Sequence, residues 1–356
     1  MGEGRITVDR TTKNIAAFGI NNPVFYSDSV KNVSDDEQAF REAVTYDGKL
    51  LAYASERIKN IDDIVDKAVT QNGAALLYAN QRFRNIRGYI LKAIPTFPEI
   101  ILYLDAKYGD DEEIMRLVAR YGGFYILAGS ERLRDMDDIA KDAVECSGEA
   151  YRFVSERLRD KEDFTLNALK KKGRNLEFAS ERLRKKSNVV TEAVKSDGTA
   201  LEFALYIDKP IVLTALAENI DAVKFIPAEL KKDLDIAETV AGTAPEKLSF
   251  FPFAVKNNCN VAKKAVEVNG MTLGIFSKKI RKNPRIVKKA VGQNGLSLQF
   301  VDAKLKESDY SISLEAVKND GMAWIYVPEI YKDREEITKT AFESNILVAR
   351  YLPLSV

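Results

Sequence analysis

Residues 173–184 read GRNLEFASERLR, residues 48–57 read GKLLAYASER, and residues 295–301 read GLSLQFV. Working outward from these copies, one phrase keeps returning. An Ala-Val-like pair is followed by Asn/Asp-Gly, then Leu-x-Phe/Tyr-Ala, then Ser-Glu-Arg-Leu-Arg, then Asp-Ile-Val. The opening residue of the unit stands at Ala43, Ala68, Ala93, Val118, Ala143, Ala168 and Ala193, evenly spaced with no insertion or deletion between these starts. The pattern blurs and resumes at Ala265, Ala290, Ala316 and Ala341. Two degenerate units fit between, starting near Ala215 and Thr239, and a weak one near Phe18 precedes the first clear copy. The expectation is about thirteen units.

Apolar spacing assigns secondary structure to the unit. Ile64, Val65, Ala68 and Val69 fall on one face of a helix, with Asp62, Asp66, Lys67 and Gln71 opposite. Five residues after each start stands a glycine, as at Gly48, Gly73, Gly123, Gly148, Gly173, Gly198, Gly270, Gly295 and Gly321, usually after Asn or Asp. The reading is a helix stop in which glycine takes the left-handed conformation. A second short helix is expected after it, burying Leu51, Ala54 and Ile58 in the first copy and Leu176, Ala179 and Leu183 in the sixth. Helices this short are marginal alone in water, so neighbouring copies must supply the core. Alanine at the unit start permits close approach, and an aromatic at Tyr53, Tyr78, Phe153, Phe178, Phe203 and Phe300 is expected to fill the gap. This is an all-α fold, an α-solenoid of 25-residue two-helix repeats. It divides into an N-terminal arm with a degenerate first repeat (1–42), regular repeats (43–214), degenerate repeats with a bend (215–264), and further repeats with an apolar C-terminal segment (265–356). Ile6-Thr7-Val8 and the Asn21-Asn22-Pro23 turn read as a short extended arm.

The phrases at 48–57, 173–184 and 295–301, recurring in register, resemble the repeat family catalogued as domain of unknown function 4116. The resemblance covers roughly residues 40 to 345 and is weakest between 215 and 264. It implies a helical repeat array with no assigned activity and no catalytic residue to carry over.

Composition narrows the function. Of 356 residues, 46% are apolar and 30% charged, the balance of a folded globular chain. There is no histidine, which removes the commonest general base, the usual nucleophile pairs and most zinc sites. Cys146 and Cys259 read as small buried residues rather than ligands. No Gly-rich phosphate loop, paired-cysteine motif or nucleophile elbow occurs. The N-terminus lacks the layout of a secretory signal, and Ile6 stands where a myristoylation motif needs Ser or Thr. The chain is therefore expected to be no enzyme, to use no cofactor, metal or small-molecule substrate, and to cross no membrane. It is expected in the cytoplasm or within an intracellularly assembled particle.

Charge supplies the candidate contacts. Arg57, Arg82, Arg132, Arg157 and Arg182 form one ladder, and Arg84, Arg134, Arg159 and Arg184 a second. A polyanion could track such a stripe. The structural reading is favoured, in which the cations offset helix dipoles and pair with the acids of their own copy, because Glu56, Glu131, Glu156 and Glu181 travel with them. Asp110, Asp111, Glu112 and Glu113 read as the acidic first turn of a helix rather than a metal site. Residues 251–300 hold ten Lys and Arg against Glu267 alone, whereas 101–170 hold eleven bases and sixteen acids, so the net +1 of the whole chain hides unlike regions. The candidate partner-binding residues are Lys278, Lys279, Arg281, Lys282, Arg285, Lys288 and Lys289, together with Leu352 and Leu354 of the apolar terminus. A protein partner or a second copy is the first expectation. A nucleic acid on the basic stretch is the alternative, weakened by Phe276 and Phe300 falling at repeat positions expected to be buried, where they could not stack on bases.

Overall fold

The computed structural model describes residues 34–351. The weak unit near Phe18, most of the expected N-terminal arm, and Leu352 and Leu354 lie outside them. Two compact units divide the chain after Leu183. Each is all-helical among the described residues, and each is an α-solenoid built from one recurring piece.

That piece starts with a long helix of up to ten residues, such as Asp62–Gln71, Asp137–Cys146 or Pro284–Gln293. Thirteen such helices occur among the described residues, six in the first unit and seven in the second. Within each unit every long helix packs on the next. The expected face is the buried one: Ile64, Val65, Ala68 and Val69 have no accessible surface. Each fully buried aliphatic side chain of this size contributes roughly 1.5–3 kcal/mol, which is what makes helices of two to three turns persist.

The second helix of the expected pair is instead two shorter pieces. After Asp47 the chain runs as a 3-10 segment, Gly48–Tyr53, then becomes extended at Ala54. In the fully formed copies a four-residue α turn follows, as in Glu131–Arg134 and Glu156–Arg159. The break comes from the serine. Ser130 and Ser155 take extended backbone and accept the N–H of Leu133 and Leu158 on their hydroxyls at 3.3 Å, the work of an N-cap. The buried set is nevertheless as expected, with Leu51, Ala54, Ile58, Leu176, Ala179 and Leu183 all in the core. In each unit the 3-10 segments stack in chain order beside the long helices, so a solenoid has a helix layer and a 3-10 layer.

The glycine does a different job from the expected one. No described residue has positive φ. The helix ends on the preceding Asn or Asp in extended backbone, as at Asn72 (φ −150°, ψ 113°), whose side chain accepts the N–H of Ala74 at 3.0 Å and so starts the 3-10 segment. Glycine follows because of a close approach. A Cβ on Gly48, Gly73 or Gly123 would overlap the carbonyl oxygen of Ala68, Ala93 or Ala143 in the next repeat, and Gly270, Gly295 and Gly321 meet Ala290, Ala316 and Ala341 in the same way. The glycine N–H is also held from the next copy: Gly48 donates to Gln71 Oε1 at 2.7 Å and Gly295 to Asn319 Oδ1 at 2.7 Å.

The stretch where the motif blurs keeps the repeat. Lys209–Glu218, Leu234–Thr243, Cys259–Val268 and Pro284–Gln293 start at the same even interval as the long helices of the clear copies. Ala215 holds the expected start position, but Val240, rather than Thr239, does so in the next unit, since it is Val240 whose carbonyl receives the capping N–H of Ala244 at 2.8 Å. Pro245 opens a 3-10 segment and Pro252 precedes a turn, positions where the missing N–H is harmless. The irregularity lies earlier, where Ser187–Ser196 and Lys209–Glu218 start closer together than the regular interval because no turn helix intervenes.

Two substitutions test the close approach. Gly295→Ala should lower stability by about 1–3 kcal/mol, because Ala316 must move. Gly88→Ala, in a helix where a Cβ meets nothing within 4 Å, should raise it by about 0.5–1 kcal/mol. Urea unfolding of the full chain followed by helical circular dichroism reads both, and equal responses would remove this account of the glycines.

Candidate functional site

The turn following each 3-10 segment carries the arginine ladders, and it is there that repeats are tied together. Arg157 Nε donates to Asp135 Oδ1 at 2.9 Å and Arg157 Nη2 to the Asp135 carbonyl at 2.5 Å, while the Ser155 hydroxyl bonds the same carboxylate. Arg132 and Ser130 do this to Asp110, and Arg57 and Ser55 to Asp35. In every case the partner lies 20 to 22 residues back, in the preceding repeat. The first ladder is therefore structural, as favoured, but its acids belong to the neighbouring copy rather than to its own. Glu56 and Glu156 are left highly exposed, reaching only Lys59 at 2.9 Å and Arg159 at 3.9 Å.

The second ladder points forward. Arg134 Nη1 donates to the Phe153 carbonyl at 3.2 Å, Arg159 Nη1 to Phe178 at 3.4 Å, and Arg184 Nε to Phe203 at 2.7 Å. Each caps the end of the next 3-10 segment. The open groove of about 490 Å³ between the turns at 130–135 and 155–159 is lined largely by these clamp side chains, with the exposed Glu131 and Glu156 beside them and the Nε atoms of Arg134 and Arg159 buried without a hydrogen-bond partner.

These contacts set the electrostatics. The hydroxyls of Ser55, Ser130 and Ser155 are the leading cause holding the carboxyls of Asp35, Asp110 and Asp135 below their ordinary value. The arginines add to it, against a push from desolvation. The acidic run is engaged as well: Asp111 caps the helix Glu112–Tyr121 and receives Arg87 at 2.7 Å, Glu113 receives Arg87 at 2.5 Å, and Glu112 pairs with Arg116 at 2.8 Å. Among the described residues no three His, Cys, Asp or Glu side chains are grouped as a metal site would need. Among them, too, no helix is long and apolar enough to cross a membrane.

The basic stretch divides between two elements. Lys278, Lys279 and Lys282 stand exposed on or just after the turn Lys278–Arg281 and form no ion pair among the described residues. Arg281, on the same turn, is half-buried. Arg285, Lys288 and Lys289 lie on the long helix Pro284–Gln293, where Lys288 pairs with Asp309 at 3.1 Å and Lys289 with Glu267 at 2.5 Å. Lys278, Lys279, Lys282 and Arg285 thus form no ion pair among the described residues, whereas Lys288 and Lys289 do. In the C-terminal segment Ile346, Leu347 and Tyr351 are exposed while Val348 is buried. Cys146 and Cys259, expected to be buried, are exposed, and Cys146 Sγ accepts the N–H of Gly123 at 3.3 Å.

The aromatics depart most from expectation. Tyr53, Tyr78 and Tyr103 are 42%, 41% and 52% exposed, and Phe153, Phe178, Phe203 and Phe300 are half-buried. The core space is filled by Leu51, Leu76, Leu176, Leu201 and Leu298. The aromatic stands at or just after the end of a 3-10 segment and recurs with the repeat, except at Ala128, which ends the segment Gly123–Ala128. Phe276 is buried as expected, but Phe253, which sequence reasoning passed over, is 70% exposed on a turn. The available signal was its position, the one that Glu131 and Glu156 hold on their turns.

The family model described as Domain of unknown function (DUF4116) matches residues 36–84, 137–184, 161–206 and 258–306. Those stretches carry DUF4116 repeats. Each match spans about two repeat units, so it takes in one long helix, its 3-10 segment and turn, and the neighbour to which they are tied. No curated protein matches the chain.

The clamps of these DUF4116 repeats predict an acid response. A carboxyl whose folded pKa is depressed contributes stability above its unfolded value and loses it as pH falls through the folded value. The melting temperature should therefore be flat above about pH 5 and fall as pH drops below about 4. Asp135→Asn should blunt that fall while lowering the melting temperature at neutral pH. Circular dichroism melts of both proteins across this range check it.

Proposed function

We propose that this chain is a non-enzymatic helical-repeat scaffold that binds a protein partner along its surface, as a structural component of a larger assembly in the cytoplasm or in an intracellularly assembled particle. The observation that carries the reading is the recurrence, at equivalent positions of successive repeats in the first unit, of the half-exposed tyrosines Tyr53, Tyr78 and Tyr103. Tyrosine presents a large rigid apolar body with a polar tip, the side chain most suited to protein contact. Rings recurring with the repeat offer a partner several equivalent anchors, and at Tyr53, Tyr78 and Tyr103 a large part of each ring is open to contact. In the first unit most serines, arginines and aspartates of the turns are engaged in tying repeats to each other, which favours surface contact over a reactive pocket.

Cross-linking mass spectrometry on the full chain in its native cell tests this. One and the same protein should link at sites on the aromatic rim spaced by the repeat period. Tyr53→Ala with Tyr78→Ala should weaken its capture by about 10-fold or more while leaving the circular dichroism spectrum unchanged. Links scattered without period, or none to any protein, would overturn the reading.

A further inference from the structure

We infer that the turn edge of the second unit, between residues 227 and 307, is a binding face for single-stranded nucleic acid. The argument starts from what the turns of the first unit need. In Ser130–Asp135 and Ser155–Asp160 two arginines are matched by two acids, and the charges close the inter-repeat clamp. In the four turns at 227–232, 252–257, 277–282 and 302–307 there are nine Lys and Arg against Glu229, Asp302 and Glu307.

The excess arises by loss of clamp acids. Asn257 stands where Asp135 stands, and Ser277 still bonds it, through Oδ1 at 2.6 Å. The turn therefore holds its geometry without a carboxylate. Lys279 follows Asn257 at the same spacing as Arg157 follows Asp135, and it has no acid there to meet. Lys278 replaces the exposed glutamate of the turn, and Lys282 replaces its aspartate. All three cations are exposed and form no ion pair among the described residues.

Aromatic rings stand among them. Phe253 is 70% exposed one repeat before Lys278, at the equivalent position, while Phe251 and Val255 beside it fill the core. Phe250 is 46% exposed, with Lys231 Nζ 6.0 Å from its ring centroid. Cations alone would suit any polyanion. Exposed rings interleaved with unpaired cations suit one whose anionic backbone carries flat apolar faces, and only an unpaired strand presents those faces. An acidic protein surface would pair with the cations without needing flat rings interleaved among them, and a duplex keeps its bases stacked on each other. Lys288 and Lys289, paired on the long helix, are not part of this face.

The test is fluorescence anisotropy of the full chain with a labelled oligothymidylate of about 20 nucleotides and with a duplex of the same length. The single strand should bind more tightly, with log K falling against log salt at a slope of roughly −2 to −3, as expected for three or four phosphate contacts. The triple variant Lys278→Glu, Lys279→Glu, Lys282→Glu should lose more than about 10-fold in affinity. Phe253→Ala should lose about 10-fold, and the pair Lys288→Glu, Lys289→Glu much less than the triple variant. Circular dichroism verifies that each variant is folded. Absence of binding at low salt overturns the inference. So does a duplex bound as tightly as the single strand, or polyglutamate competing as well as the oligonucleotide, with Phe253→Ala silent.

Discussion

A glycine that lies against the carbonyl oxygen of an alanine in the following repeat sets the spacing on which the rest of each unit depends. Any side chain at Gly73 would push Ala93 away, and with it the helix whose apolar face covers Ile64, Val65, Ala68 and Val69. Because each ten-residue helix is too short to stand alone, loss of that approach would expose the core of two repeats at once. The extended Asn or Asp before the glycine turns the chain from the helix layer into the 3-10 layer. The side chain contributed by the next copy, Gln71 at Gly48 or Asn319 at Gly295, satisfies the glycine N–H.

On the opposite side of the repeat, the serine and arginines of the turn perform a parallel task with charge. One arginine reaches back to an aspartate and the next reaches forward to the end of a 3-10 segment, so every such turn is bound to both neighbours. Exposed ion pairs of this kind add little stability singly. Their effect is to fix register, which the apolar faces alone, being alike in every copy, specify weakly. Where the aspartate becomes Asn257 the hydroxyl contact survives, and the cations it would have engaged are released to the surface. The same fold thus yields turns of balanced charge at 130–135 and 155–160 and a strongly basic turn at 277–282.

Much of this was legible in the chain. The period, the helical class and the buried set Leu51, Ala54 and Ile58 all follow from apolar spacing, whereas the glutamates that travel with the first arginine ladder are not the acids it bonds. The second element of the repeat reads as one helix in the sequence because its apolar positions suit either a helix or two shorter pieces. The deciding residue is the capping serine, whose meaning was available. The blurred stretch 215–264 lost its motif letters but not its packing, since Val240 and Val261 fill their helix positions as well as alanine and isoleucine do elsewhere. Among the seven basic candidates, Lys288 and Lys289 meet Asp309 and Glu267 on neighbouring repeats, while Lys278, Lys279, Lys282 and Arg285 meet no acid among the described residues, a difference that depends on what the neighbouring copy places opposite each one.

By itself the sequence determined whatever depends on residues within a turn or two of each other: where helices run, which face is apolar, where caps fall, and which chemistries lack the side chains they need. Tertiary structure decided whatever depends on a residue 19 to 23 positions away, in the next copy. The glycine is required by a neighbour's carbonyl and not by its own backbone angles, the arginines bond acids that are not their own, and the aromatics stand at a rim instead of in a gap. These are distances across a repeat interface, and a periodic sequence states the repeat without stating how one copy is set against the next.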